Sequence, residues 1–192
     1  MKAVNRIAAA AAVILAIIFA SLGSYKEVSD YDIVSGIAID FDNENWLVCC
    51  EICVPSADND FGSGSIYVNG KGDTIDNAFE DAQKRSSNIL YTDCNQLYII
   101  GENAKGKQQL RDYFMQDNIN LRAVTVYAVG MAEDTLSKNR DDENSRARSL
   151  TMAKKLSRYC SDNHLPSPRV TEYLKGSTAI TVSPDETPFM EG

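Results

Sequence analysis

The chain is poor in the residues that many catalytic and metal centres draw on. Of its 192 residues only one is histidine, His164. A zinc site would therefore have to bring His164, Cys94 or Cys160 to the other cysteines. Basic residues are also scarce: 19 Lys and Arg against 27 Asp and Glu leave a net charge of −8. No dense basic run offsets that deficit, and phosphate neutralisation needs clustered Lys and Arg, so the composition argues against nucleic acid as a partner. The stretch from Arg140 to Arg148 mixes both signs and reads as solvated chain. Nucleophile elbow, P-loop, dinucleotide fingerprint and internal repeats are all missing.

With 44% hydrophobic and 24% charged residues the composition is that of an ordinary globular protein, and the length allows one domain plus a terminal extension. Lys2 and Arg6 precede Ile7–Ala20, a run without charge or strong polarity, and Ser21-Leu22-Gly23-Ser24 follows. A positive start, an apolar run and small residues after it form the pattern of a secretory signal. Counted on to Leu22 or Gly23, the run reaches the marginal range for a membrane span. Two readings stand: cleavage after Gly23, or an uncleaved anchor. Both keep the positive end inside and send the rest of the chain outside.

The centre of the chain, residues 70 to 130, alternates helix, strand, helix, strand. Asp73 is placed to cap a helix running from Thr74 to Leu90, whose apolar positions are Ile75, Ala78, Phe79, Ala82, Ile89 and Leu90. That helix is expected to pack on the strand Leu97–Ile100, with Phe79 in the core. A second helix falls around Gly106–Met115, with the stripe Leu110, Tyr113 and Phe114. Ala123–Val129 is β-branched and strand-like. Before the centre, Ile33–Asp40 and Trp46–Val54 read as a hairpin turning at Asp42-Asn43-Glu44-Asn45. Trp46, Val48, Cys50, Ile52 and Val54 should share one face. Pro55–Ser65 reads as a mobile loop and Ser65–Asn69 as a third strand. After the centre come a helical turn at Glu133–Lys138 and a longer helix begun by Asp141-Asp142-Glu143-Asn144, with acid where the dipole favours it. Its buried face is Met152, Leu156, Tyr159 and Cys160, and Leu165-Pro166-Ser167-Pro168 stops it. A short helix at Val170–Leu174, a last strand at Thr178–Val182 and a flexible tail over residues 183–192 complete the pattern. The expected fold class is α+β: a mixed β-sheet with helices packed on it, after an N-terminal apolar signal or anchor helix over residues 1–23.

Five cysteines, at 49, 50, 53, 94 and 160, invite a metal or redox reading. On a strand Cys49 and Cys53 face away from Cys50, so the trio does not converge on one ion. Cys50 and Cys53 as a redox pair lack the helix start that this chemistry wants. His164, at a helix end beside proline, reads as a surface cap. Asp40 and Asp42 near Asn43 and Glu44 lack the glycine and spacing of a calcium loop, and a hairpin turn accounts for them. Gly62-Ser63-Gly64-Ser65 leads into no helix and cradles no phosphate. No catalytic, cofactor-binding or metal-binding residue is assigned.

Two blocks carry a resemblance. Residues 27–40, Glu27-Val28-Ser29-Asp30-Tyr31-Asp32-Ile33-Val34-Ser35-Gly36-Ile37-Ala38-Ile39-Asp40, are similar to a pattern E-L-N-D-L-A-I-V-x-G-I-G-I-D. Gly72-Asp73-Thr74-Ile75 with Ala78-Phe79, then Leu90-Tyr91 and Leu97-Tyr98-Ile99-Ile100-Gly101-Glu102, are similar to G-x-T-I-x-x-A, L-Y-x-G-H and an apolar strand ending in Glu. Ala132-Glu133-Asp134-Thr135-Leu136 resembles A-x-D-I-L. In this order and spacing the blocks resemble the N-terminal domain of the Ger(x)C family, the C subunits of spore germinant receptors. The likeness covers residues 24 to 182.

Three departures stand out. Ser24 occupies the position of the cysteine that receives lipid, and Ser21 that of the usual leucine. A hydroxyl does not replace a thiolate in thioether chemistry, so no lipidation is expected. Cys94 stands where the family often has histidine. The chain stops at Gly192, about where a second domain starts, as in a short paralogue or a truncated product. The resemblance implies a non-enzymatic, membrane-associated subunit without cofactor on the outer face of the spore inner membrane. It also implies A-like and B-like membrane subunits as partners. Because a subunit without an anchor would depend wholly on association, the uncleaved anchor is the preferred reading. An exported thiol-redox or metal-binding protein, or a free-standing extracytoplasmic binding module, is the alternative.

Overall fold

A computed structural model describes residues 30–54, 64–138, 147–176 and 180–183. The apolar segment 1–23, Ser24, the loop 55–63, the acidic run Asp141–Asn144 and residues 184–192 lie outside the described residues. Strands β1 (Tyr31–Asp42) and β2 (Asn45–Val54) form the expected hairpin, with Asp42 opposite Asn45. Its turn residues Asn43 and Glu44 have φ of 47° and 64°, the double positive φ that matches the twist of paired strands. Strand β3 (Gly64–Gly72) adds antiparallel to β2. A short β4 (Ile89–Tyr91) pairs with β1 off the main path. On the other side of β1, strands β5 (Leu97–Ile100), β6 (Val124–Ala128) and β7 (Ile180–Val182) follow, each parallel to its neighbour. The sheet order is β3-β2-β1-β5-β6-β7. The fold is α+β with a mixed sheet and helices, as expected.

Among the described residues five α-helices pack on the sheet: α1 (Ile75–Arg85), α2 (Gln108–Phe114), α3 (Ala132–Ser137), α4 (Arg148–Asp162) and α5 (Val170–Leu174). Period-two alternation divides their partners. Ile37, Ile39, Trp46, Val48, Cys50, Ile52, Tyr98 and Ile100 pack with α1, α2 and α5. Ala38, Cys49, Leu97, Ile99 and Val126 pack with α3 and α4. The expected shared face of β2 is found, except that Val54 is only half-buried. The alternation is broken once, near the start of β1. The β1–β2 register shifts between Val34 and Gly36, so both Ser35 and Gly36 meet α4 at Ser149.

Several local expectations are corrected. The first helix ends at Arg85, where the backbone turns extended at Ser86, and Ile89 and Leu90 belong to β4. Thr74, not Asp73, is its N-cap: the Thr74 hydroxyl accepts from the Asn77 amide, while Asp73 accepts from the Asn77 side chain. Helix α1 packs mainly on β3 and β2 rather than on β5. Helix α4 begins at Arg148, downstream of the acidic run. Its buried residues are Ser149, Ala153, Leu156 and Cys160, and Tyr159 is exposed.

Aromatic rings bind the first face together. Phe114 contacts Tyr98 edge-on at 5.0 Å and Tyr173 at 5.2 Å, so α2, β5 and α5 meet at one ring. Phe79 stacks on Tyr113 at 5.5 Å but stays half-buried. Phe114→Ala should therefore cost about 3–5 kcal/mol in urea denaturation, and Phe79→Ala distinctly less. Equal losses would contradict this ranking.

Candidate functional site

The polar centre of the molecule is a pair of carboxylates on adjacent strands, both aimed at the α3–α4 face. Asp40 of β1 is 2% exposed and Glu51 of β2 is 0% exposed. Neither α3 nor α4 has a side chain able to cap it, because Met131 and Ala147 stand at the N-cap positions. The strands supply the missing acceptors. Asp40 Oδ1 accepts from the Ala132 amide at 2.7 Å and Oδ2 from the Glu133 amide at 3.0 Å. Glu51 Oε1 accepts from the Arg148 amide at 2.8 Å and Oε2 from the Ser149 amide at 2.9 Å. A carboxylate at a helix start satisfies orphan amides and meets the positive end of the dipole.

Glu51 has further partners. Ser65 and Tyr67 of β3 donate to Oε1 at 3.0 and 2.9 Å. Ser35 reaches Oε2 at 3.3 Å, and Ser149 donates to Ser35 at 2.9 Å. Burial, reinforced by the Glu51 charge, pushes the Tyr67 phenol well above its ordinary value. The Arg148 guanidinium is half-buried within Coulombic reach of Glu51 and Tyr67, and burial lowers its pKa against their pull. The site is a clamp of donors around one anion. Two glycines make room for the two caps. A Cβ at Gly101 would lie 1.8 Å from Asp40 Oδ1, and one at Gly36 2.4 Å from the Ser149 Cβ.

Beside the clamp a groove of about 490 Å³ opens between the start of β1, the end of β2, the starts of β5 and β6, and α4. Val34, Val124 and Ala153 line it, with Arg122, Lys154 and Arg169.

The residues singled out by sequence fall in separate places. Cys49 and Cys50 lie in opposite core clusters, Cys53 is half-buried, Cys160 is buried, and Cys94 is exposed. Burial lifts the Cys50 thiol to about 12, far from the thiolate that redox and metal chemistry use. Among the described residues no group of three His, Cys, Asp or Glu could hold a metal ion. His164 is exposed, follows α4 with φ of 55°, and donates its amide to the Ser161 carbonyl. Asp40 is the α3 cap rather than the turn residue that its neighbours Asp42 and Asn43 suggest; Asp42 does lie at the turn, accepting from Asn43. Sequence reasoning missed Glu51. The signal for it was one acid within the otherwise apolar run Trp46–Val54.

An α+β domain with carboxylate-capped helices on one face of a mixed sheet is the class these features define. Residues 24–179 match the family described as the spore germination protein N-terminal domain, and the chain belongs to that family. No curated protein and no solved structure matches it. Of the residues that carry the resemblance, Gly36 lies at the Glu51 clamp and Asp40 and Gly101 at the α3 cap. Among the described residues no helix is long and apolar enough to cross a membrane.

Burial lifts the Asp40 carboxyl above the ordinary 3.8, outweighing the two amides that pull it down. Its folded pKa thus exceeds the unfolded one, the fold holds the extra proton between them, and stability falls as pH rises through that window. Asp40→Asn removes the titration. The wild-type stability minus that of Asp40→Asn should therefore shrink as pH is raised from 3.8 to neutrality in urea titrations. A difference that grows would show that the amide bonds outweigh burial.

Proposed function

We propose that the chain is a non-enzymatic, membrane-associated subunit of a spore germinant receptor, acting outside the cytoplasm through contacts with A-like and B-like membrane subunits. The observation that carries this reading is the family match over residues 24–179, which takes in β1 to α5. The chemistry of the domain supports it: Asp40 and Glu51 are each engaged by helix amides. A carboxylate held by fixed donors is a framework group rather than one poised to exchange protons with a substrate. The pattern Lys2, Arg6 and Ile7–Ala20 supports attachment to the membrane by that segment. Ser24, in place of the lipid-bearing cysteine, supports the same segment as an anchor that is kept, without lipid.

Coexpression of the full chain with A-like and B-like subunits, followed by affinity purification from solubilised membranes, tests the proposal. The expected result is recovery of all three in fixed ratio, with the chain still carrying Lys2 and Arg6 by intact mass. Recovery of the chain alone, from membranes or from the soluble fraction, would overturn it.

A further inference from the structure

The charge around the groove beside α4 runs against the charge of the chain. The whole sequence carries −8, yet every ionisable side chain lining this groove other than cysteine is basic: Arg122, Lys154 and Arg169. They come from three separate segments: the approach to β6, the second turn of α4, and the residue before α5. None of the three forms an ion pair among the described residues. A second groove of similar size, about 480 Å³ between α1, β4 and α2, mixes Asp76 and Glu80 with Lys84. The second groove does not share the basic lining of the groove at α4.

Its walls are largely apolar, with Ser35, Gln96 and Ser157 among them. Val34 and Val124 belong to the buried core. Ile33 and Leu150, 40% and 38% exposed, leave hydrocarbon facing the opening that nothing among the described residues covers. The Cys53 thiol, raised by burial, adds no negative charge. Three basic residues around a largely apolar groove of this volume fit a small amphipathic molecule with one anionic end. A carboxylate meets the guanidinium fork in two parallel hydrogen bonds, while its hydrocarbon body takes the exposed faces of Ile33 and Leu150 out of water. Neutral or cationic amphiphiles gain only the second contribution, and the cationic ones meet repulsion.

We infer that the groove bounded by Arg122, Lys154, Arg169, Ile33 and Leu150 is a binding site for a small amphipathic carboxylate. The inference does not rest on the proposed subunit contacts, and its failure would leave those contacts standing.

The experiment is an NMR titration of the isotope-labelled full chain with octanoate, octan-1-ol and octylammonium as probes. Octanoate should shift the amides of Val34, Val124 and Leu150 along one saturable curve. Its affinity should exceed that of octanol by about tenfold at low salt and fall as salt is added. The variant Arg122→Gln/Lys154→Gln/Arg169→Gln changes only exposed side chains and should fold. It should lose most of the preference for octanoate while still binding octanol weakly. Leu150→Glu should weaken octanoate further by bringing hydrocarbon loss and a like charge together. No saturation up to the octanoate solubility limit would overturn the inference. So would shifts centred elsewhere, equal affinity for the three probes, or an unchanged preference in the triple variant.

Discussion

The fold depends on one interaction more than any other: the Glu51 carboxylate held between β2, β3 and the first turn of α4. Burying a carboxylate costs several kcal/mol unless the groups around it replace water. Here two backbone amides and the hydroxyls of Ser35, Ser65 and Tyr67 do so. Charge-assisted bonds of this kind are about twice as strong as neutral ones, and the helix dipole adds to them. Asp40 repeats the device one strand over, at α3. The α3–α4 layer is thereby pinned by ionic caps from the sheet as well as by the hydrocarbon of Ala38, Leu97, Ile99, Leu136 and Leu156.

The geometry around the caps is set by them. A helix whose first turn is bonded to a strand side chain must come close to the sheet, and glycine is the residue that allows it. Gly36 lies under Ser149 and Gly101 under Asp40, each where a methyl would collide. The bulge between Val34 and Gly36 brings Ser35 into the same cluster. With α4 so held, its first two turns bring Leu150 and Lys154 to the groove. The first face has a different logic, interlocking rings of Tyr98, Tyr113, Phe114 and Tyr173 without a buried charge among them.

Much of this was legible in the sequence wherever the cause is local. The alternation Trp46, Val48, Cys50, Ile52 placed one strand face correctly, and the stripe Leu110, Tyr113, Phe114 placed a helix. The opposed facing of Cys49 and Cys50 followed from the period of a strand. Apart from the choice between Asp73 and Thr74 as a cap, the main failures were governed by distant partners. Ile89 and Leu90 keep helical spacing with Phe79, but pairing with β1 makes them a strand. The helix starts were sought among neighbouring residues, yet Asp40 reaches α3 across 92 and 93 residues and Glu51 reaches α4 across 97 and 98. Met131 and Ala147, at the N-cap positions, make no side-chain cap bond of their own. The family resemblance marked Gly36, Asp40 and Gly101 without saying why they are needed; the contact at Asp40 explains the last two, and that at Ser149 the first.

The central claim is that carboxylates from the sheet, not local sequence, hold the starts of α3 and α4. Amide hydrogen exchange reads this residue by residue, because uncapped first-turn amides face water and exchange freely. The amides of Ala132, Glu133, Arg148 and Ser149 should be protected to the level of the central strands β1 and β5. In Glu51→Ala, protection should vanish at Arg148 and Ser149 while Ala132 and Glu133 keep theirs. Exchange of Arg148 and Ser149 at the rate of a frayed helix end in the wild type would contradict the account.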